Sequence, residues 1–336
     1  MLQLKNQSPF APALGVLPNR DAVDTVYVVV KGTFVLGPRL EVAEKPAPPV
    51  LADEYWGAPG QSSLKYPSDL HVGKSGSDLL LVGQAWAAGG RPASEAMVRV
   101  TVAERSKTVH VFGDRTWKRE GFTRPEPFES LPLRYERAYG GAHADGANLV
   151  AEEHNPIGRG FLGKRRIDSM VGQKLPNFED PRRLLQQIGD VVAPAGLGAV
   201  APSWLPRRQY AGTYDQVWQR KRAPYLPADF QPRFFNCAAP ELTFDRFLAG
   251  GETVEIIGAS REGAIRFQLP RRGPRVTLFV AGAREQPPCQ LETVIVEPDD
   301  RKVFVVWRAE LPVDKNVRRV QLALIEGDAD GAGRGG

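Results

Sequence analysis

The stretch "MVRVTVAERSKTVHVFGDRTW", from Met97 to Trp117, alternates apolar and polar residues as a half-buried β-strand does. One face of its first half is formed by Val98, Val100 and Val102. The polar run "ERSK" interrupts the alternation, and the chain then returns through Val109 and Val111. Two alternating runs joined by a short polar turn predict an antiparallel hairpin, with His110 on the face opposite the valines.

Further strand-like segments lie towards both ends of the chain. "DTVYVVVKGTFVLG" (Asp24–Gly37) and "DLLLVGQAWA" (Asp78–Ala87) are apolar, and strands return at short intervals after Pro240. The turn "EPDDRK" between "TVIV" and "VFVVW" predicts a second hairpin. We therefore predict a mainly β protein, with antiparallel β-sandwich-like blocks at both ends and a loop-rich, partly helical centre.

Composition changes along the chain predict its division. Prolines, glycines, aromatic residues and arginines crowd together in the centre with little periodicity, whereas the flanking segments alternate. The strand pattern leaves open whether the flanking blocks form one continuous sandwich or two. The predicted segments are an N-terminal β block (1–118), an irregular centre with short helices (119–240), a C-terminal β block (241–326) and a flexible tail (327–336).

Two short helices are predicted within the centre. "PRRLLQQIGD" (Pro181–Asp190) begins with a proline suited to the first helical position, and Asp180 before it is a natural N-cap. "YDQVWQR" (Tyr214–Arg220) is the second candidate. Because many aromatic residues surround these segments, we expect the loops of the centre to be ordered.

Composition and charge exclude several classes of function. The chain has 336 residues and a net charge of +5, but its basic residues are scattered among 39 acids, so no nucleic-acid partner is expected. The two cysteines, Cys237 and Cys289, have no zinc-ligand spacing and fit a reducing compartment. No apolar run reaches the length of a membrane span or a secretory signal. We therefore expect a cytoplasmic protein without membrane contact.

The segment "RYERAYGGAHADGANLVAEEHNPIGRGF" (Arg134–Phe161) contains the densest group of polar residues that could carry chemistry. It has no GxSxG nucleophile turn and no phosphate-loop order. His143 and His154 lack a metal-ligand spacing; a weak hard-cation site with nearby carboxylates stays open, but surface loop histidines are the favoured interpretation. Glu136 between two arginines indicates an ion-pair network.

We accordingly predict no catalytic, cofactor-binding or metal-binding residue in this segment or elsewhere in the chain, and no cofactor. Asn155-Pro156 is typical of a turn, and the glycines permit positive φ angles or close backbone packing. The segment is therefore interpreted as a structured loop. Its defining residues are Tyr135, Glu136, Arg137, Gly140, Gly141, Asn155, Pro156, Gly158, Arg159 and Gly160.

"RRQYAGTYDQVWQRKR" (Arg207–Arg222) mixes arginines with aromatic residues. This composition fits single-stranded nucleic acid, but it is also typical of protein interfaces, which we favour. Its aromatic residues recur every four positions and predict a stripe in which Trp218 packs into the core while the flanking arginines point outwards. The predicted partner-binding residues are Arg207, Arg208, Tyr210, Arg220 and Arg222.

Taken together, the motifs resemble a bacterial family labelled as a domain of unknown function, whose genes lie in type VI secretion clusters. The resemblance runs from about Pro9 to Leu324. It is carried by "VYVVVKGTF", "SLKYPSDL", "VFGDRTW", "PFESLPLRYERAYGG", "NPIGRGF", "LPNFEDP", "PAGLGAVAPSWLPRRQYAGTYDQVWQRKRAPYLPADFQPRFFN" and "VFVVWRAELP", which follow one another in this order.

The resemblance implies a non-catalytic adaptor or chaperone. Such a protein would bind a type VI secretion effector, often one with a PAAR tip domain, and help to load it onto the VgrG spike. The main alternative is a carbohydrate- or peptidoglycan-acting hydrolase with its site in the loop-rich centre; a toxin secreted in its own right is a weaker one. Converging carboxylates in a deep pocket would favour the hydrolase, whereas an aromatic groove or exposed sheet edge would favour the adaptor.

Overall fold

The structure is a computed structural model that describes residues 3–327. Strands dominate it, and within the described range the sole α-helix is Gln216–Lys221, which confirms the prediction of a mainly β protein. No helix among these residues has both the length and the apolar character needed to cross a membrane. Of the predicted tail, residues 328–336 lie outside the described residues.

A six-stranded sheet forms the centre of the fold. Its two longest strands, Asp24–Val35 and Lys302–Pro312, pair antiparallel and are buried along most of their length. Their β-branched and apolar runs suit a strand covered on both faces. The hairpin at "EPDDRK" is confirmed. In order across the sheet, the strands are Ala11–Pro18, Asp24–Val35, Lys302–Pro312, Gln290–Glu297 and Asp78–Leu81, with Glu41–Val42 beside Asp24–Val35.

A five-stranded antiparallel sheet contains the hairpin predicted from alternation. Glu95–Val102 pairs with Arg105–Phe112, which confirms that prediction. The three valines of its first strand are buried, while His110 lies on the other face and contacts Glu95 at 3.1 Å. Alternation was therefore sufficient to assign both faces. In order, the strands are Phe178–Glu179, Arg105–Phe112, Glu95–Val102, Thr253–Ile257 and Ile265–Gln268.

The two β-rich ends of the chain share these sheets. Thr253–Ile257 from the C-terminal part pairs with Glu95–Val102, just as Lys302–Pro312 pairs with Asp24–Val35. One apolar core extends from Phe10 to Ile325 and includes residues of every part of the chain. The sheets that position the central loops are therefore built from both ends together.

The remaining elements are short. A four-stranded sheet has the order Gln3–Asn6, Val320–Glu326, Arg275–Val280 and Ala283–Glu285. Two-stranded ladders pair Gln84–Trp86 with Ser130–Pro132, Tyr139–Gly140 with Arg159–Gly160, Ala142–Asp145 with Asn148–Ala151, and Glu54–Tyr55 with Leu64–Tyr66. The 3-10 helices are Ala88–Gly90, Tyr135–Arg137, Ile167–Met170, Arg207–Tyr210, Pro232–Phe235, Pro240–Leu242 and Asp314–Arg319.

The helix predicted at Pro181–Asp190 is absent, because carboxylates take the backbone donors that a helix needs. Leu185 N donates to Glu179 Oε2 at 2.7 Å, and Gln186 N donates to Asp190 Oδ2 at 2.8 Å. Local side-chain acceptors of this kind compete with helical hydrogen bonds. The segment therefore forms two turns separated by an extended stretch that contains the buried Leu185.

Candidate functional site

Asn155 is the hub of the loop Arg134–Phe161, called here the Asn155 loop. Its side chain is fully buried, and Nδ2 donates to Tyr135 O at 2.8 Å and to Tyr139 O at 2.9 Å. Its own carbonyl accepts from Gly141 N at 2.8 Å. Because unpaired buried carbonyls are costly, one asparagine holds both arms of the loop together. Pro156 follows, half-buried, at the turn.

The glycines of the Asn155 loop are required by its close packing. A Cβ on Gly158 would lie 2.6 Å from Ala138 O and against Asn155 Nδ2, and one on Gly140 would meet the Asn155 carbonyl. Gly140, Gly141 and Gly160 also adopt positive φ angles of 150°, 122° and 89°. These residues hold the loop in shape, in accord with its interpretation as a structured loop.

The charged residues of this loop make internal contacts. Glu136 accepts from Ser63 N at 2.8 Å and from Ser63 Oγ at 2.7 Å. Arg134 instead lies over the Trp56 ring, 3.8 Å from its centre. Ser63 on a neighbouring turn therefore holds the Glu136 carboxylate, whose charge also acts to raise the pKa of Arg137.

Arg137 and Arg159 converge on Asn177 and Asp114. Their guanidinium groups donate to Asn177 Oδ1 at 3.1 and 3.3 Å and lie 3.7 and 3.9 Å from Asp114 Oδ1. Burial acts to raise the pKa of Asp114, but hydrogen bonds from Lys174 and Asn177 lower it below its usual value. Asp114 is therefore held in its charged form as an anchor for the two arginines.

The two histidines of the loop lie apart from any group that could hold a metal. His154 Nδ1 contacts Glu152 at 2.9 Å, while the half-buried His143 lies near the Phe161 ring, with 6.1 Å between centres. Among residues 3–327 there is no cluster of three or more His, Cys, Asp or Glu side chains arranged for a metal. Nearby carboxylates that could have served a cation face basic partners: Asp145 faces Lys164 at 3.1 Å, and Glu153 faces Arg208 at 2.8 Å.

The predicted partner-binding residues divide into buried and exposed ones. Arg207 is buried and donates to Val200 O at 2.7 Å and to Phe234 O at 2.8 Å, so its predicted outward position is wrong. These hydrogen bonds to backbone carbonyls satisfy the buried guanidinium group. Arg208 is exposed, and its contact with Glu153 joins this segment to the Asn155 loop.

The other three predicted partner-binding residues differ in their exposure to solvent. Tyr210 is half-buried, with the Arg233 guanidinium 5.5 Å from its ring centre. Arg222 is half-buried and donates to Leu226 O at 2.5 Å. Arg220 is exposed, and its Nε donates to Gln216 O in the preceding helical turn at 3.2 Å. Arg208 and Arg220 are therefore the two predicted arginines that are exposed on the surface.

The helix predicted at Tyr214–Arg220 exists as Gln216–Lys221, capped by Asp215, whose Oδ1 accepts from Trp218 N at 2.7 Å. None of its residues is buried, so the assignment of Trp218 to the core is wrong. Instead, the Trp218 ring packs on Tyr214 with 4.8 Å between centres, and its Nε1 donates to Tyr225 O at 2.8 Å. The contacts of these aromatic residues hold the short helix, and Arg222 at its C-terminal end also donates to Arg20 O.

These contacts leave an apolar surface facing solvent. Tyr214 and Val217 are each 55% exposed, and Tyr225 is 40% exposed. We call Tyr214, Val217, Trp218 and Tyr225 the aromatic ridge. Large apolar side chains grouped on the surface of a protein are typical of interaction sites, and aromatic residues and arginine dominate binding energy there.

Sequence reasoning missed a second group, here called the charged cluster, on the buried face of the six-stranded sheet. Lys74 Nζ lies 2.7 Å from Asp78 Oδ2 and 2.7 Å from Thr293 Oγ1. Arg308 Nε donates to Glu292 Oε1 at 2.8 Å, and His71 Nε2 lies 3.4 Å from Glu292 Oε2. The cluster consists of His71, Lys74, Asp78, Glu292 and Arg308, all of them buried.

The charged cluster fastens the central segment to the sheet. Asp78 accepts from Cys237 N at 2.9 Å and from Asn236 Nδ2 at 3.2 Å, and the His71 ring stacks on Phe235 at 4.8 Å. Such a set of buried charges is stable only when every member is paired.

Its electrostatics follow from burial. Burial, together with the charge of Lys74, holds the pKa of His71 well below its usual 6.5. Burial acts to lower the pKa of Lys74, but Asp78 outweighs it and raises that pKa. Burial raises the pKa of the neighbouring Cys237 thiol to about 12, so this sulfur stays protonated at neutral pH. The signal in the sequence was a charged residue within an otherwise apolar strand, as in "QLETVIVE" and "VFVVWRAELP".

Comparison with known proteins identifies one family. The description "Uncharacterized protein conserved in bacteria (DUF2169)" matches residues 21–308, which include the Asn155 loop, the aromatic ridge and the charged cluster. The chain matches no curated protein and no solved structure. Because the match covers most of the chain, the protein belongs to the bacterial DUF2169 family.

Proposed function

We propose that this protein is a cytoplasmic, non-catalytic adaptor that binds a type VI secretion effector and assists its loading onto the VgrG spike. The observation that carries the proposal is the aromatic ridge, which is ordered by its own contacts and leaves its apolar side chains in solvent. When a partner covers an apolar surface of this kind, the free energy of the system falls, which favours binding. The identity of the partner class rests on the family resemblance.

Two exposed arginines add to the surface: one on the ridge helix and one beside the Asn155 loop. Arg220 lies on the same helix, and Arg208 is exposed beside Glu153. Guanidinium groups at the rim of an apolar surface provide bidentate and stacking contacts to a partner. The pairing of Arg208 with Glu153 is exposed on both sides and is therefore worth little to folding, which leaves Arg208 free to change partner.

The distribution of carboxylates also favours binding over the hydrolase alternative. A glycosidase needs two carboxyl groups facing each other across an accessible cleft. Asp78 and Glu292 are fully buried and bonded to Lys74 and Arg308, and Glu136 is held by Ser63. These acids serve packing, and no observation favours the second function.

The proposal is tested by co-purification with the products of the neighbouring secretion genes. Replacing three ridge residues, Tyr214→Ser, Val217→Ser and Tyr225→Ser, should reduce recovery of the effector at least about tenfold while leaving the melting temperature nearly unchanged. The control replaces two apolar residues elsewhere that are somewhat more exposed, Leu149→Ser and Ile167→Ser, at 75% and 58%. Equal loss in both variants, or none in either, would contradict the proposal.

A second variant tests the arginines. Replacing Arg208 and Arg220 by Ala should weaken the same co-purification without lowering the melting temperature, because both side chains are exposed. A fall in both measurements would mean that the arginines serve the fold. Unchanged binding would place the interface away from them.

A further inference from the structure

The five-stranded sheet ends in an open edge. Its last strand, Ile265–Gln268, pairs only with Thr253–Ile257 among residues 3–327. Just beyond it, Leu269 N donates to Glu252 O at 2.9 Å. Hydrogen-bonded positions alternate along antiparallel strands, so the backbone N–H and C=O groups of Arg266 and Gln268 point away from the sheet.

The other edges of the two large sheets are covered or interrupted, and at Phe178–Glu179 a bridge pairs Phe178 with Ala138. Beside Asp78–Leu81, Leu81 N donates to Leu197 O at 2.9 Å and Phe244 N donates to Ser77 O at 2.8 Å. Ala11–Pro18 carries two prolines, which interrupt pairing. An edge with free backbone groups is a template for an added strand. Among residues 3–327, no strand or backbone hydrogen bond covers the outer side of Ile265–Gln268, and this strand contains no proline.

A groove lies along this edge. It consists of two hollows of about 820 and about 480 Å³ that share Pro38 and Gln268. One wall is the edge strand, and the other is the end of the six-stranded sheet, with the turn at 36–40 and the hairpin turn at 298–301. Leu36, Trp86 and Phe267 give the floor an apolar character.

The charge of the groove is mainly positive. Two acids also line it, Glu262 and Asp299, and Glu262 faces Arg301 at 3.5 Å. Exposed arginines outnumber them. The arginines that line the groove include Arg39, Arg261, Arg266, Arg271 and Arg301. An occupant with carboxylates would be attracted and held in register by this excess of guanidinium groups.

We propose that the groove binds an extended, acidic segment of the adaptor's partner protein, which adds as a further strand along Ile265–Gln268. The segment's backbone pairs with Arg266 and Gln268, its carboxylates face the arginines, and its alternate apolar side chains contact the floor. The proposal rests on the proposed adaptor function and adds to it the chemistry of a second contact, separate from the aromatic ridge.

The test uses the full chain and a fluorescent octapeptide of alternating Glu and Val with capped ends. Gln268→Pro removes the outward N–H while sparing the bonds to Thr253–Ile257, and proline is tolerated at sheet edges. Gln268→Ala changes the side chain and keeps that N–H. We expect peptide affinity about tenfold weaker for Gln268→Pro and within about twofold for Gln268→Ala, with equal melting temperatures.

Charge is tested with a second pair of variants. Arg266→Glu should weaken binding of the octapeptide and reduce its dependence on NaCl, whereas Arg166→Glu, the same change at an exposed position outside the groove, should leave both unchanged. A peptide with Lys in place of Glu should bind the wild type more weakly. If it binds equally well, or if a single-stranded oligonucleotide displaces the acidic peptide while binding Gln268→Pro unimpaired, the proposal is overturned.

The Gln268 variants and the oligomeric state also test strand addition at this edge. Equal peptide binding by Gln268→Pro and wild type overturns strand addition, as does loss of binding in both Gln268 variants. A wild-type dimer in sedimentation that becomes monomeric in Gln268→Pro assigns the edge to a second copy of this chain and also overturns it. Failure of the groove leaves the adaptor proposal intact if ridge variants still lose the effector; if neither surface affects co-purification, the adaptor proposal fails.

Discussion

The Asn155 loop and the aromatic ridge lie in the same central part of the chain, but they place their side chains in opposite ways. In the loop, polar groups turn inwards and bond to buried carbonyls, as Asn155 does with Tyr135 and Tyr139. On the ridge, apolar groups turn outwards, as Tyr214 and Val217 do. The difference teaches that an unusual motif can record packing requirements, whereas apolar side chains left in solvent point to binding.

The largest effect is expected when a side chain is added within the tightly packed Asn155 loop. Gly158→Ala should reduce the free energy of unfolding by about 4 kcal/mol or more, because the new Cβ meets backbone and the Asn155 side chain on several sides. Gly146→Ala is the matched control in the same loop: its φ is 62° with open space around it, so the cost is about 1–2 kcal/mol. Urea unfolding measures both. Similar losses would mean that the loop yields and is not a rigid scaffold.

The charged cluster extends the comparison to buried charge. Lys74→Met should cost about 3–5 kcal/mol in urea unfolding, because it leaves Asp78 charged and unpaired in the core. Lys164→Met removes a lysine from the exposed pair with Asp145 and should cost less than about 1 kcal/mol. A small loss at Lys74 would show that solvent or a shifted proton relieves Asp78.

His71 should make stability depend on pH. Its folded-state pKa lies below the usual 6.5, so the unfolded chain binds a proton that the native chain does not. Stability is therefore complete above about pH 6.5 and falls as the pH drops below it, by up to about 1.4 kcal/mol per pH unit.

His71→Gln, which keeps a polar side chain at this buried position and cannot titrate in this range, should flatten that slope between pH 7 and pH 5. Urea unfolding at several pH values provides the measurement. An unchanged slope in His71→Gln would assign the acid sensitivity to other groups.

The smallest effect on stability is expected on the ridge itself. Tyr214→Ser should change the free energy of unfolding by less than about 0.5 kcal/mol, because more than half of the side chain is in solvent. Thermal melting and urea unfolding check this together with effector recovery. A loss above 1 kcal/mol would make the contact with Trp218 a folding contact and weaken the distinction between ridge and loop.

Local patterns predicted the sheets well, because alternation and β-branching are properties of neighbouring residues. Val98, Val100 and Val102 were assigned to the correct face from period alone. The prediction of a helix at Pro181–Asp190 was wrong because the carboxylates of Glu179 and Asp190 accept hydrogen bonds from its backbone N–H groups. Helix propensity does not include such contacts. Helix propensity thus gave a wrong prediction where side-chain carboxylates replaced backbone carbonyls as hydrogen-bond acceptors.

The candidate sites depend on distant contacts, which limits what sequence could predict. Lys74 and Thr293 meet only once the sheet has formed, so the charged cluster has no local spacing to reveal it. Arg207 and Arg208 are neighbours of the same type, yet one is buried and the other exposed. What separates them is the position of the carbonyls of Val200 and Phe234, which is a property of the fold.

The pairing of Asp24–Val35 with Lys302–Pro312 also has a consequence during synthesis on the ribosome. The first strand emerges early, but the neighbour that completes its backbone pairing is translated only near the end of the chain. At a translation rate of about 5–20 residues per second, the 12-residue strand Asp24–Val35 remains for tens of seconds with one backbone edge unpaired. A chain that terminates before Lys302 would keep that edge exposed, so incomplete products are expected to aggregate.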